Sequence, residues 1–370
     1  MQPGFEPGFE ENADNTMMRG ASVTLLLAAA LWLLPLVNSF GDRHAVLLSR
    51  FGGICNTDDR SQSAFRALID ELMERQALPT KGRRMCFIPT AGYAPSDSAP
   101  LAAQRAEFRA AAEEKAAEFK VGTARSTTLV MIWKPPPPAT PLPTTTTATP
   151  VTATLPPPLP PPLPLPPGLE LDAVQILELD DPAMSPAQLQ SRVDALEPNL
   201  VWVGGGNTFY LRHWMRQSGF DRVVERTCTP GDGPAAIYVG ASAGAICAGS
   251  SIEPAFWKGW DSPSVVPDVD WSSERATRGL GLAGAGVHFF PHFDAGSGHA
   301  ELVETSRSRM QGNSGGASEV VTLRDDQAFV WTQVRDDQAG RSFIFHRDGA
   351  LGRLRNVKPL PFPTPRGGAT

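Results

Sequence analysis

A Gly-x-Ser-x-Gly motif at residues 240–244 places a serine where it could act as a nucleophile. The motif follows the apolar run 237–239 and leads into small residues, so we expect a strand, a sharp turn and then a helix. Ser242 would stand at the tip of that turn, because the small residues beside it leave room for a tight bend. A serine exposed over a helix N-terminus in this way is typical of enzymes that form acyl intermediates.

A second strand-to-helix turn lies upstream of this serine. The strand-like run 199–203 leads into three glycines at 204–206 and then into the start of a helix. Because parallel strands end at the same edge of a sheet, we expect the glycine loop to face Ser242. The backbone N–H groups of Gly206 and Ala243 would then form an oxyanion hole. The alternative is that the glycines only shape the turn.

Two histidines lie in and just after a short apolar strand that begins near residue 286. His292 follows the strand, where loops at a sheet edge carry catalytic groups, and we predict that it is the general base. His288 lies within the strand itself. Asp261, in a loop between the serine and the histidine, is the predicted orienting acid. Five other carboxylates compete for that role: Glu253, Asp268, Asp270, Glu274 and Asp294.

Three motifs in this order resemble those of peptidase family S51, which includes aspartyl dipeptidase (peptidase E) and cyanophycinase. They lie at residues 203–209, 239–245 and 291–293, and less specific similarity extends to residues 45–49, 85–91 and 323–328. The resemblance implies the fold of the class I glutamine amidotransferases, an α/β fold with a doubly wound, mostly parallel sheet and flanking helices. It also implies a serine-type peptidase that hydrolyses short or Asp-containing peptides without a cofactor. The residues that it assigns to the site are Ser242 as nucleophile, His292 as base, Asp261 as acid, and Gly206 and Ala243 as oxyanion donors.

The pattern along the chain predicts one large domain. From residue 45 to 119, and again from 172 to 332, apolar runs of strand length alternate with amphipathic stretches. This alternation is typical of a parallel, doubly wound sheet. We therefore predict a single domain over residues 44–350, preceded by an N-terminal extension (1–43) and followed by a flexible tail (351–370).

A low-complexity insertion at residues 123–168 interrupts this domain. Its part from 135 to 168 holds 16 of the 36 prolines and no charged residue. Such a composition forms neither a helix nor a strand ladder, so we expect an extended spacer that contributes nothing to the core. The alternative is an artefact of the gene model.

The N-terminal extension resembles a secretory signal at residues 17–39. An uncharged apolar run at 21–37 follows a basic residue and ends at small residues. The same run is near the lower length limit of a membrane-spanning helix, so an uncleaved signal anchor is the alternative. Both interpretations place the protein in the secretory pathway or on a membrane, with membrane contact only through residues 21–37.

Composition and motifs argue against several other classes of function. The net charge of −6 and the lack of a basic stripe argue against a nucleic-acid partner. The glycine loop does not match a dinucleotide or Walker motif, and His288 and His292 lie on a strand and loop rather than on one helix face, which argues against zinc. These observations predict no nucleic-acid partner, no cofactor and no metal, and the family resemblance implies a small peptide as partner. The four cysteines show no CxxC spacing and do not identify a redox compartment: Cys55, Cys86, Cys228 and Cys247.

Three other classes of protein share part of this pattern. Glutamine amidotransferases share the expected fold but use a cysteine, whereas here the turn carries serine and Cys247 lies further along the helix. Lipase-like α/β-hydrolases share the motif, but they usually place the histidine much further along the chain. A catalytically inactive binding protein with the same fold is the third. The residues that could bind a substrate carboxylate are Lys258, Arg212 and Arg278.

Overall fold

The secondary structure alternates between strands and helices along most of the chain. The computed structural model describes residues 43–50, 59–76, 78, 82–95, 101–121, 171–229, 234–257, 259–314, 318–333, 340–347 and 351–353. The strands are β1 (Arg43–Leu48), β2 (Arg84–Ile88), β3 (Ala173–Ile176), β4 (Leu200–Val203), β5 (Ile237–Ala241), β6 (Val287–Phe290), β7 (Glu319–Thr322), β8 (Gln327–Gln333), β9 (Arg341–His346) and β10 (Leu351–Arg353). The helices are α1 (Asp59–Arg75), α2 (Leu101–Val121), α3 (Pro186–Leu196), α4 (Thr208–Gln217), α5 (Phe220–Cys228), α6 (Ala243–Ala248), α7 (Pro254–Trp257), α8 (Glu274–Thr277) and α9 (His299–Ser314).

Eight of these strands form one sheet in the order β10-β9-β8-β1-β5-β4-β2-β3. The strands from β1 to β3 in this order are parallel, and β8, β9 and β10 extend the sheet antiparallel from β1. Helices connect the parallel strands, as crossover connections require. The predicted α/β fold, with a mostly parallel sheet and flanking helices, is therefore confirmed.

The sheet has a hydrophobic core on each face. Successive residues of β1 point to opposite faces, so Leu47 joins one core and Leu48 the other. Phe65 of α1 packs with the Leu48 core, whereas Phe209 of α4 and Phe220 of α5 pack with the Leu47 core. All five side chains are nearly inaccessible to solvent. Each contributes about 1.5–3 kcal/mol by burial, which fixes the helices on the sheet that carries the site.

β6 and β7 form a separate two-stranded parallel sheet. The sequence placed His292 on the same sheet edge as the serine, and the structure differs at this point. Ser250 N–H, just after α6, donates to the carbonyl of Val287 at 2.8 Å and so docks β6 beside α6. His292 therefore reaches Ser242 from a second sheet rather than along the edge of the first.

Several sequence predictions lie outside the described residues. They concern most of the N-terminal extension (1–43), the insertion at 123–168, and the tail from residue 354 onward. Residues 351–353, which the sequence placed in the tail, form β10 because they pair antiparallel with β9. None of the helices in the described ranges combines the length and the apolar character needed to span a membrane.

Two buried histidines make the stability of the fold depend on pH. Burial, with a smaller contribution from Arg75, lowers the pKa of His44 in β1 to about 3. Burial also lowers the pKa of His288 in β6 to about 4, against a smaller opposing effect of a backbone hydrogen bond with Ser251. Both imidazoles are therefore neutral in the folded protein at pH values where the unfolded chain binds protons.

We expect the free energy of unfolding to fall as the pH drops from about 6.5 toward 4. A depressed pKa gives stability that is complete above the unfolded value of about 6.5, and each histidine costs about 1.4 kcal/mol per pH unit below it. Urea unfolding between pH 7 and 4.5 measures this slope. In His44→Phe the slope should decrease by about 1.4 kcal/mol per pH unit, because one fewer histidine binds a proton on unfolding. An unchanged slope would contradict a lowered pKa of His44 in the folded protein.

Candidate active site

Ser242 occupies the tight turn between β5 and α6 that the motif predicted. Its φ of 51° and ψ of −108° lie in a strained region of the backbone. This conformation is typical of the strand-to-helix turns that expose a nucleophile in α/β enzymes. Its own N–H donates to the carbonyl of Leu48 at 2.9 Å, which ties the turn to the end of β1. A Cβ at Gly244 would lie 2.4 Å from the carbonyl oxygen of Val203, so the helix can approach β4 only with glycine there. The serine is thus held rigidly at the carboxyl end of β5.

The glycine loop lies directly against this serine. β4 is parallel to β5 and adjacent to it, so both strands end at the same edge. A Cβ at Gly205 would lie 3.0 Å from Cβ of Ser242. Gly206 has a φ of +138°, and a Cβ there would lie 2.2 Å from the carbonyl oxygen of Ala91, so glycine is required. The loop is followed by α4, whose first turn is capped by Asn207 through the N–H of Tyr210 at 2.9 Å.

His292 lies within hydrogen-bond distance of the serine. Its Nε2 is 2.9 Å from Oγ of Ser242, the distance expected between a base and a nucleophile. The residue has a φ of 55° and follows the end of β6 by two positions. Its backbone N–H donates to Oγ of Ser49 at 2.7 Å, which fixes the loop that carries the imidazole.

Asp325 is the carboxylate on the other side of the imidazole. Its Oδ1 lies 2.6 Å from Nδ1 of His292 and accepts the hydroxyl of Ser49 at 2.8 Å. Burial would raise the pKa of Asp325, but the hydrogen bonds from His292 and Ser49, with the charge on His292 and on Arg50, outweigh it and lower the pKa to about 2. Asp325 is therefore ionised at neutral pH and can hold Nδ1 protonated, which leaves Nε2 as the acceptor for the serine proton.

Asp261, the acid predicted from the sequence, occupies a different place. Its Oδ2 accepts the backbone N–H of Thr208 at 3.0 Å, at the start of α4. The neighbouring carbonyl of Ser262 accepts the side-chain amide of Asn207 at 3.1 Å. The Asp261 loop is thus tied to the helix that follows the glycine loop, while the carboxylate on Nδ1 of His292 is that of Asp325.

The sequence contained a signal for Asp325 and Ser49 that chain order concealed. Both lie in segments that resemble family S51, at 323–328 and 45–49, but the order of the motifs favours an acid between the serine and the histidine. β6 and β7 are parallel neighbours, so the residues after each strand meet at one edge. Asp325 follows β7 by three positions and lies beside His292 for this reason.

A small cavity opens next to the serine. Its volume is about 30 Å³, and Ser242, His292 and Asp261 are among the residues that line it. Aromatic side chains form much of the surrounding wall. The ring of Trp260 lies 5.6 Å from the imidazole of His292, and Trp257 stacks on Phe290 at 5.8 Å. The side chain of Trp260 is 45% exposed and forms part of the rim.

The other chemistry-bearing residues singled out in the sequence lie elsewhere. Burial raises the pKa of the Cys247 thiol to about 12, so it is not a thiolate at neutral pH. Arg212 is buried and donates two hydrogen bonds to the carboxylate of Asp221, each of 2.6 Å. Its guanidinium thus already binds a carboxylate of this chain. Lys258 lies outside the described residues. No group of three or more histidines, cysteines or carboxylates in the described ranges is arranged to hold a metal ion.

The comparisons with known proteins point to one family. Residues 169–339 match the model of peptidase family S51. A solved structure titled "Putative Peptidase E Protein", from Listeria monocytogenes EGD-e, aligns with 85% of this chain and 99% of its own, at 13% identity and a TM-score of 0.44. No curated protein matches the chain.

Proposed function

Because residues 169–339 belong to peptidase family S51, we propose that this chain is a serine-type peptidase acting through Ser242, His292 and Asp325. The observation that carries the proposal is the continuous chain of hydrogen bonds from Oγ of Ser242 to the imidazole and on to a carboxylate. Both links are short, 2.9 Å and 2.6 Å. Nucleophile, base and orienting acid in this geometry are the parts that acyl transfer requires.

Hydrolysis would proceed in two steps, formation of an acyl-enzyme and its hydrolysis. Oγ of Ser242 attacks the peptide carbonyl while its proton passes to Nε2 of His292, and the N–H groups of Gly206 and Ala243 stabilise the oxyanion. The C–N bond then breaks, and Nε2 returns the proton to the leaving amine. Water then attacks the acyl carbonyl and gives a proton to Nε2 of His292. The ester C–O bond breaks, Nε2 returns this proton to Oγ of Ser242, and the acid product leaves. Throughout, Asp325 holds the imidazole in the productive tautomer.

Among the alternatives, a catalytically inactive binding protein is less well supported. A carboxylate oxygen of Asp325 lies 2.6 Å from Nδ1 of His292, where a serine peptidase needs its orienting acid. The amidotransferase interpretation needs a cysteine nucleophile, whereas the strained turn carries serine and Cys247 is buried.

The proposal is tested by assaying the purified full chain with a set of unmodified and N-blocked aminoacyl p-nitroanilides. We expect release of p-nitroaniline that a fluorophosphonate abolishes and that EDTA leaves unchanged. Release that resists the fluorophosphonate, or no release from any substrate together with an unmodified Ser242, would contradict a serine peptidase.

Ser49 is expected to act as a positioning residue. Its side chain is fully buried and joins the backbone of His292 to Oδ1 of Asp325. Ser49→Ala removes two hydrogen bonds, each of about 0.5–1.5 kcal/mol, so kcat should fall about ten- to a hundredfold while KM stays nearly constant. Ser49→Thr, which keeps the hydroxyl, should restore part of kcat.

The matched control for Ser49→Ala is Ser250→Ala. The hydroxyl of Ser250 donates to the carbonyl of Gly284 at 2.9 Å, away from the imidazole. It should leave kcat within about threefold of the wild type, as expected for loss of a single hydrogen bond remote from the reacting atoms. Equal kcat values for the two alanine variants would show that Ser49 does not position the base.

A further inference from the structure

Two large apolar side chains of the described residues are exposed, and both lie in the segment beside the nucleophile. They are Phe256 and Trp260, four residues apart. The ring of Trp260 lies 5.6 Å from the imidazole of His292, and this residue lines the cavity next to Ser242. Apolar surface that is exposed at the edge of a cavity is typical of a ligand-binding site. Trp260 is therefore placed to make an apolar contact with the molecule that Ser242 attacks.

The described part of the cavity wall is mostly apolar. Besides Ser242, His292 and Asp261, it consists of six apolar residues: Ile246, Pro254, Ala255, Trp260, Phe290 and Pro291. No lysine or arginine is among these described wall residues. An apolar side chain of a substrate gains free energy by leaving water for such a wall, whereas a carboxylate loses hydration and meets no cation on it. The wall therefore favours an apolar side chain over an acidic one.

The backbone next to Trp260 is tied to the start of α4. Oδ2 of Asp261 accepts the backbone N–H of Thr208 at 3.0 Å. The carbonyl of Ser262 accepts the side-chain amide of Asn207 at 3.1 Å. Because α4 begins directly after the glycine loop, these two bonds fix the segment that carries the indole relative to that loop. A subsite that selects a side chain requires such a fixed position.

The cavity lies where the side chain on the acyl side of the scissile bond must begin. In the acyl-enzyme, Cβ of the acyl residue is three bonds from Oγ of Ser242, a distance of about 3–4 Å. This side chain therefore starts beside Ser242, which the cavity borders. Ile246 lies four positions further along α6, about one helical turn away, and lines the same cavity. The cavity thus continues from the nucleophile along α6, with Trp260 on its wall.

We infer that this cavity binds the side chain of the acyl residue against Trp260, and that the preferred acyl residue is large and apolar. This inference rests on the proposed function. Because the rim at Trp260 is open to solvent, a side chain longer than the cavity packs its outer part against the indole. The substrate class is therefore peptides that are cleaved after a large apolar residue. This differs from the aspartyl preference that the family resemblance implied.

Three p-nitroanilides test this preference, each with a free and with an N-acetylated amine: those of L-phenylalanine, L-alanine and, through its α-carboxyl group, L-aspartic acid. The leaving group is the same throughout, so ratios of kcat/KM within either series report on the acyl side chain. For the wild type we expect kcat/KM to be about ten- to a hundredfold higher for the phenylalanyl than for the alanyl substrate, because more apolar surface is buried. The aspartyl substrate should be the slowest.

Trp260→Ala should lower the phenylalanyl-to-alanyl ratio of kcat/KM about tenfold, because it removes one apolar wall of the subsite. Trp260→Phe, which keeps an aromatic ring, should retain most of the ratio. Phe256→Ala is the matched control, since it removes an exposed aromatic side chain from the same segment. The ring of Phe256 packs on Phe209 at 4.5 Å, and the residue does not line the cavity. This control should leave the ratio unchanged, and the ratio does not depend on the fraction of folded enzyme.

Two isomeric dipeptides separate the acyl side from the leaving side: L-phenylalanyl-L-alanine and L-alanyl-L-phenylalanine, each with free ends and with both ends blocked. We expect the wild type to hydrolyse the first at least about tenfold faster than the second, and Trp260→Ala to lose most of this difference. Faster hydrolysis of the second dipeptide or of the aspartyl p-nitroanilide, or equal ratios in wild type and Trp260→Ala, would overturn the inference and leave the peptidase standing. If no substrate is hydrolysed and a fluorophosphonate leaves Ser242 unmodified, the proposed function fails and the inference fails with it.

Discussion

Ser242→Ala is expected to lower kcat by about 10⁴- to 10⁶-fold and to leave the protein folded. The hydroxyl is the atom that would form the acyl-enzyme, and losses of this size follow removal of a nucleophile from a working triad. Alanine keeps the Cβ of serine, so the positive φ at this turn is no more strained than before. Steady-state hydrolysis of an aminoacyl p-nitroanilide measures the loss, and thermal melting checks the fold.

The Ser242→Ala variant is expected to keep a small part of its activity. Binding and the N–H groups of Gly206 and Ala243 would still favour attack by water, so a low rate above background is expected. A kcat within tenfold of the wild type would show that another group is the nucleophile.

Asp325→Asn is expected to lower kcat by about 10⁴-fold. An asparagine at 2.6 Å from Nδ1 can donate a hydrogen bond and so favour the wrong tautomer of His292, in which Nε2 carries the proton. It would also no longer stabilise the imidazolium formed during attack. KM should change little, because the carboxylate contacts the base and not the substrate.

The chain offers a close control for Asp325→Asn. Asp326 is the adjacent carboxylate, and it pairs with Arg324 at 3.0 Å rather than with the imidazole. Asp326→Asn makes the same charge change one residue away and should leave kcat within about threefold of the wild type, as expected for loss of an exposed ion pair. A large loss of kcat in Asp261→Asn, with little loss in Asp325→Asn, would show that Asp261, as predicted from the sequence, is the orienting acid.

The parts of the site that could be predicted from sequence are those encoded within a few neighbouring residues. Gly-x-Ser-x-Gly after an apolar run predicts the turn at Ser242, and the glycine loop at 204–206 predicts a second turn on the next strand. Both follow from local patterns, and β4 and β5 do lie side by side. The alternation of strands and helices likewise predicted the α/β sheet.

The acid could not be predicted in the same way because it depends on pairing between distant strands. Asp325 lies beside His292 only because β6 and β7 pair in a small sheet of their own, which hydrophobic periodicity does not reveal. The order of residues along the chain points instead to Asp261, which falls between the serine and the histidine. The position of Ser49 depends on the end of β1 meeting the loop before β8, which also requires the antiparallel pairing of these two strands.

The most direct test of the account is to identify the residue that a fluorophosphonate modifies. The full chain is treated with the reagent, digested, and analysed by mass spectrometry, in parallel with Ser242→Ala and Asp325→Asn. We predict one adduct, on the peptide that contains Ser242, which is absent from Ser242→Ala and forms far more slowly in Asp325→Asn. An adduct on another serine, or equal labelling of Ser242 in wild type and Asp325→Asn, would contradict a nucleophile activated through His292 and Asp325.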